Sequence, residues 1–238
     1  MNKFQNIEKI RHSLAHLLAM AVLEKFPKAK LGIGPTIENG FYYDFALPAE
    51  ALAKEGLTDL EKQMRELIKQ DLKFKKETVS PAEAKKIFQK QPYKLELIKE
   101  LNEAKEKISI YETLDPRKSA SNLRESAFID LCAGPHIKST KEINPDAFKL
   151  TRIAGAYWKG SEKNLMLTRI YGVSFETKKE LDDYLKLQEE IEKRDHRILG
   201  EKLDLFMTDE KIGKGLPLWL PKGYFIRHLL EEYIYAVE

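Results

Sequence analysis

The sequence predicts an α+β fold in which helices pack on antiparallel sheet, followed by a long, highly charged helix. Three observations carry that expectation. Apolar residues recur at three- and four-residue steps through the first 26 positions, β-branched and aromatic residues alternate with period two between Ile108 and Tyr171, and helical periodicity returns on a charged background from Thr177 to about Leu199.

In order along the chain, Ile7, Ile10, Leu14, Leu17, Leu18, Ala21 and Val22 mark an amphipathic helix that Pro27 ends. Two apolar and aromatic runs follow, Leu31 to Gly34 and Phe41 to Leu47, with Asn39 and Gly40 expected to supply the positive φ of a hairpin turn. Thr58 and Glu61 read as a capping box opening a helix through Leu60, Met64, Leu67 and Ile68. A short basic strand, Lys73 to Val79, precedes Ser80 and Pro81, an N-cap and first helical residue for a helix to Gln89, and a second short helix spans Lys94 to Leu101. Four strands are then expected at Ile108–Glu112, Ala127–Leu131, Phe148–Trp158 and Leu165–Tyr171. Thr177 and Glu180 form another capping box, opening the charged helix that serves as a linker. Beyond Gly200 the texture changes to two short apolar runs and an amphipathic helix, Tyr224–Tyr235, within which the chain stops; the expectation is a fragment of a longer protein, with a frayed terminal helix as the ordinary alternative.

Composition excludes several classes. With 238 residues, 42% of them hydrophobic and 33% charged, the chain is long enough for a real core and is neither disordered nor fibrous. The seven-residue run Leu17–Leu23 falls far short of the ~20 residues a membrane span needs, and the amino terminus has no secretory signal, so the cytoplasm is the expected compartment. A single cysteine, Cys132, agrees with a reducing environment. The balance of 41 basic against 38 acidic residues permits a polyanionic partner without requiring one. Lys73, Lys75, Lys76, Lys85 and Lys86 suit a phosphate track or a solvated face equally, and Tyr157 and Trp158 are read as strand packing rather than base stacking.

One constellation can carry chemistry. His12 and His16 lie four residues apart on the first helix and so address one point. Cys132 and His136 bracket an Ala-Gly-Pro turn directly after a predicted strand. Each alone has an ordinary reading, a hydrogen-bonded histidine or a small buried thiol. Together, three imidazoles and a thiol suit a tetrahedral zinc ion or a metal-free hydrolytic pocket. His196 and His228 have no such companions and are read as structural.

The stretches RHSLAHLLAMAV, KLGIGPTIENGFYYDF, DLCAGPH, FKLTRIAGAYWKG, LTRIYGVSF and KRDHRILGEKLDLF, in this order and spacing, resemble the bacterial threonyl-tRNA synthetase family over nearly the whole chain. The resemblance implies a threonyl/alanyl-type editing domain at residues 1–175, a linker helix at 176–200 and the truncated beginning of a class II catalytic domain at 201–238. It implies a threonine-tRNA ligase fragment that hydrolyses mischarged seryl-tRNA(Thr), with tRNA(Thr) as partner, no membrane, and a homodimer for a full-length parent. Serine differs from threonine by one methyl, worth only ~1–3 kcal/mol at a binding site, so a second hydrolytic sieve is needed.

Carried over position by position, the family's editing pocket comprises His12, His16, Lys94, Asp130, Cys132 and His136 as catalytic residues, with Tyr43 and Asp130 contacting substrate. Lys94 rests on the short Pro-Tyr-Lys-Leu match alone. In this reading His12 and Lys94 hold the attacking water, Asp130 binds the seryl ammonium, and Lys94, His136 or backbone N–H groups stabilise the oxyanion. No metal or other cofactor is expected for editing; ATP, magnesium and zinc are expected only in a full-length parent. Two alternatives remain open: a non-catalytic tRNA-binding module, and a zinc-dependent freestanding deacylase with His12, His16, Cys132 and His136 as ligands.

Overall fold

The computed structural model describes residues 3–50, 56–117, 127–213 and 215–238. Its chain divides into two compact units, Met1–Leu181 and Asp182–Glu238. Among the described residues, no helix is long and apolar enough to cross a membrane.

The first unit is built on α1 (Lys3–Lys25). The sequence suggested a one-faced amphipathic helix, but from Ser13 to Ala19 every residue is buried, because the helix is covered on more than one side. One cover is a five-stranded antiparallel sheet of β1 (Lys30–Leu31), β2 (Thr36–Ile37), β3 (Gly40–Ala46), β8 (Met166–Ser174) and β7 (Phe148–Tyr157). Phe41, Tyr43 and Phe45 alternate on one face of β3 and join Leu14, Leu17 and Leu18 of α1 in the main core. Another cover is the helix Leu57–Lys69, whose Leu60, Met64, Leu67 and Ile68 join the same core. A three-stranded sheet of β4 (Lys73–Thr78), β5 (Ser109–Leu114) and β6 (Phe128–Leu131) meets α1 at His16, its Phe74 and Phe128 rings lying 6.4 and 5.9 Å from the His16 ring. Behind that sheet, α3 (Pro81–Ile87) and α4 (Pro92–Glu103) close a second core around Val79, Ala84, Phe88, Ile98, Ile108 and Ile110.

Three local expectations change. The turn between β2 and β3 pairs Ile37 with Gly40, and neither Asn39 nor Gly40 has positive φ. Gly40 is needed for a different reason: a Cβ there would sit 1.9 Å from the Gly172 carbonyl oxygen across the β3–β8 pair. Thr58 and Glu61 form no capping box; α2 (Leu57–Lys69) starts after Gly56, and Glu61 turns into the protein to accept from Leu150 N–H at 2.8 Å. Satisfying a buried backbone N–H on β7 outweighs a surface cap. By contrast, Ser80 caps α3 by accepting from Glu83 N–H at 3.2 Å.

The charged helix is also shorter than expected. The Thr177–Glu180 capping box forms and opens α5 (Lys178–Lys193), but α5 ends there and Asp195 caps a separate α6 (His196–Lys202), accepting from Arg197 N–H at 2.8 Å. An aspartate at an N-cap starts a helix as readily as periodicity continues one. The second unit adds a hairpin of β9 (Phe206–Thr208) and β10 (Pro217–Trp219) and the helix α7 (Pro221–Val237).

Candidate functional site

The site lies in the first unit, where α1 meets the three-stranded sheet. The helical spacing brings the His12 and His16 rings to 5.4 Å between centroids. Downstream, β6 delivers Asp130 and hands the chain to a tight loop in which Gly134 adopts φ +75°; a Cβ there would meet the Tyr111 hydroxyl at 2.3 Å, so only glycine lets the loop fold back. That loop returns His136 to within 4.2 Å of both the His12 and His16 rings, and its ring stacks on Phe74 at 5.1 Å. The ligand atoms of His12, His16, Cys132 and His136 all lie within 4.8 Å of one another.

A cavity of about 420 Å³ opens in front of this cluster. It is walled by Glu8, His12 and His16 of α1, the 33–36 loop, Lys94 of α4, and residues 130–135. Two expected pocket residues stand behind the wall rather than in it. Tyr43 is fully buried and reaches the site by donating its hydroxyl to Asp130 Oδ2 at 2.6 Å, with the Lys94 ammonium 5.5 Å over its ring. His136 does not line the cavity and touches it through Cys132, whose Sγ is 3.3 Å from His136 Nε2 and 3.2 Å from His12 Nε2. Glu8, four residues before His12, and the loop Gly34–Thr36 line the cavity and were not singled out from sequence; helical spacing alone would have flagged Glu8.

Asp130 is the most heavily engaged group. One oxygen takes the Lys94 ammonium at 2.5 Å and the Leu131 N–H at 2.8 Å, while the other takes the Tyr43 hydroxyl. Both Asp130 and Lys94 are buried, a paired charge that neither could hold there alone. Lys94 is fixed because α4 is strapped from outside. Trp158 Nε1 donates to Glu96 at 2.8 Å, Lys159 pairs with Glu96 at 2.6 Å and also with Glu100, and Leu31 N–H donates to the Gln91 side chain at 2.9 Å.

The imidazoles are held neutral. Burial pushes His16 well below its ordinary pKa, with His12 and Lys94 adding in the same direction, and burial likewise lowers His136 and His12; a hydrogen bond from His12 to the Pro135 carbonyl works against the shift. Burial pushes the Cys132 thiol up to about 12, so it keeps its proton. Burial also raises Tyr43, with the Asp130 charge adding to it, which keeps the phenol a donor. Among the described residues His16 Nδ1 is a buried nitrogen with no hydrogen-bond partner. His196 and His228 lie on the second unit, the former 83% exposed beside Asp195 and the latter 3.4 Å from Glu232.

Comparison with known proteins bears directly on this arrangement. Residues 108–171, which carry β5, β6, the Cys132–His136 loop and β7, match the family model described as the threonyl and alanyl tRNA synthetase second additional domain. The chain is 49% identical over 228 residues to the threonine–tRNA ligase of Dehalococcoides mccartyi, a match covering 96% of this chain and 36% of that protein. The chain is similar to part of the threonine–tRNA ligases. The threonine–tRNA ligase of Borreliella burgdorferi is 48% identical over 233 residues, covering 98% of this chain and 38% of its own length, and that of Gloeobacter violaceus is 46% identical over 97% and 35%. The chain thus spans about a third of the length of these curated relatives.

Proposed function

We propose that this chain hydrolyses the ester of seryl-tRNA(Thr), releasing serine and leaving the threonyl ester. The observation that carries the reading is a buried carboxylate, Asp130, opening into a cavity of amino-acid size beside an uncharged imidazole and a lysine ammonium. Asp130 receives the substrate ammonium. His12, neutral at pH 7, takes a proton from the attacking water as the oxygen bonds to the ester carbonyl, and Lys94 faces the oxyanion that develops. Collapse breaks the ester bond, the proton passes to the departing ribose oxygen, and serine leaves. The S–H of Cys132 is a weak donor, so a water competes well for His12 Nε2.

Three imidazoles and a thiol within 4.8 Å also fit a tetrahedral zinc ion, one of them, His16, having an Nδ1 without a hydrogen-bond partner among the described residues. His12, His16, Cys132 and His136 would hold such an ion, and bound there it would lower the pKa of a water. We favour the metal-free reading, because the thiol and both imidazoles facing it can pair donor to acceptor without an ion. The aminoacylation reaction, with its ATP, magnesium and zinc, and the dimer belong in this proposal to the part of the relatives that the chain does not span, residues 201–238 being the opening of that catalytic domain.

The decisive experiment incubates the purified chain with seryl-tRNA(Thr) and threonyl-tRNA(Thr) and follows release of each amino acid. Faster release of serine supports the sieve, and equal rates overturn it. Binding of tRNA with release of neither would make the chain a recognition module. One zinc per chain by elemental analysis, lost together with activity on chelation, would replace the metal-free mechanism and leave the hydrolase standing.

A further inference from the structure

The proposed reaction uses the faces of His12, Lys94 and Asp130 that open into the cavity, and gives no role to Ser13, the fully buried residue that follows His12 on α1. The Ser13 hydroxyl oxygen accepts the Ile137 N–H at 3.3 Å and lies 3.0 Å from His136 Nδ1. A hydroxyl has one proton and two lone pairs; the amide takes one lone pair, and among the described residues the ring nitrogen is the acceptor that the proton meets, which makes Nδ1 an acceptor. A neutral imidazole then carries its own proton on Nε2, which faces Cys132 Sγ at 3.3 Å. The sulfur also accepts the Gly134 N–H at 3.2 Å, and its single remaining proton faces His12 Nε2, 3.2 Å away. His12 completes the series by donating its other N–H to the Pro135 carbonyl. From the Ile137 amide to the Pro135 carbonyl every donor meets an acceptor, in one direction.

We propose that Ser13 is a positioning residue whose hydroxyl sets the tautomer of His136 and, relayed through the Cys132 thiol, keeps Nε2 of His12 unprotonated. The tautomers belong to the resting protein; only their consequence for rate rests on the hydrolytic reading. A His12 locked in this form presents a base on every encounter, whereas an imidazole exchanging between tautomers does so part of the time. The chain also runs opposite to what a metal would impose, since a His136 bound to an ion through Nε2 carries its proton on Nδ1 and donates to Ser13.

The test is long-range ¹H–¹⁵N correlation of the imidazoles in the ¹⁵N-labelled chain at neutral pH with chelator present. The expected wild-type pattern is His136 protonated at Nε2 and bare at Nδ1, with His12 protonated at Nδ1 and bare at Nε2. In Ser13→Ala both rings should move toward a mixture of tautomers while the backbone amide spectrum keeps its dispersion, and Ser13→Thr, which retains the hydroxyl, should restore the pattern. Turnover of saturating seryl-tRNA(Thr) by Ser13→Ala should fall about tenfold with KM unchanged, the effect of one lost hydrogen bond felt only in the chemical step. A wild-type His136 protonated at Nδ1, or tautomers unmoved in Ser13→Ala, overturns the inference; if Ser13→Ala does not fold, the wild-type pattern alone decides. The stated tautomers in a protein that releases no serine would sink the hydrolytic reading and leave the hydroxyl's control of the rings in place.

Discussion

Acidification from about pH 7.5 to 5.5 should destabilise the first unit steeply, through the histidines rather than the carboxylates. His12, His16 and His136 have folded pKa values lowered by burial, beneath the ~6.5 of an unfolded histidine. The sign follows from proton binding: below about pH 6.5 the unfolded chain takes up protons that the folded chain refuses, so stability is complete above that value and is lost as the pH falls. At pH 5.5, one unit below the unfolded value, each such histidine costs ~1.4 kcal/mol. His16 and His136 contribute in full and the less enclosed His12 contributes part, a total of roughly 3–4 kcal/mol. Set against the 5–15 kcal/mol of a typical domain, that is a large fraction, and at ~2–4 °C per kcal/mol the melting temperature should drop by about 10 °C. The assay is thermal melting by circular dichroism across this pH range, with chelator present so that metal loss does not contribute. His136→Gln should flatten the slope by about one proton's worth. An unchanged melting temperature between the two pH values, or imidazole resonances that titrate near 6.5 in the native protein, would refute the reasoning.

Other expectations concern single residues. His12→Ala should slow serine release by ~10²–10⁴-fold in single-turnover deacylation, with tRNA affinity by filter binding unchanged; retention of full rate would remove His12 as the base. Asp130→Asn leaves the buried Lys94 ammonium without its carboxylate, so denaturant titration should show a loss of ~3–5 kcal/mol, together with a raised KM for seryl-tRNA(Thr). Gly40→Ala forces a methyl against the Gly172 carbonyl and should cost ~1–3 kcal/mol by overpacking, a loss that an unchanged urea midpoint would rule out.

The four-residue cluster was legible because each half follows a local rule, the helical step for His12 and His16 and a Gly-Pro turn for Cys132 and His136. Lys94 and Asp130 follow no such rule. A lysine on one helix and an aspartate on one strand become partners only when α4 and β6 meet, so resemblance rather than pattern pointed to them. Pattern also failed wherever long-range contacts outbid local chemistry. Gly40 looks like a turn residue but serves a close approach to β8, and Glu61 looks like a cap but serves a backbone amide on β7. The amphipathic reading of α1 underestimated its burial because small and polar residues such as Ala15, Ser13 and His16 are also covered. Strands β5, β6, β7 and β8 fell within a few residues of their expected places, since period two and aromatic content suffice where one face meets a core.

Pocket walls here come from both sheets, and α4 is tied to the tip of the β7–β8 hairpin by Trp158, Lys159 and Glu96. In the proposed reaction the site tells a hydrogen from a methyl, which works only if its walls hold still to within a fraction of a methyl's width. The fidelity of such a pocket is therefore a matter of stiffness as much as of shape. In that reading the Lys159–Glu96 ion pair, two residues along α4 from Lys94, steadies the lysine, and loosening it would blur the choice between two esters before it slowed the cleavage of either.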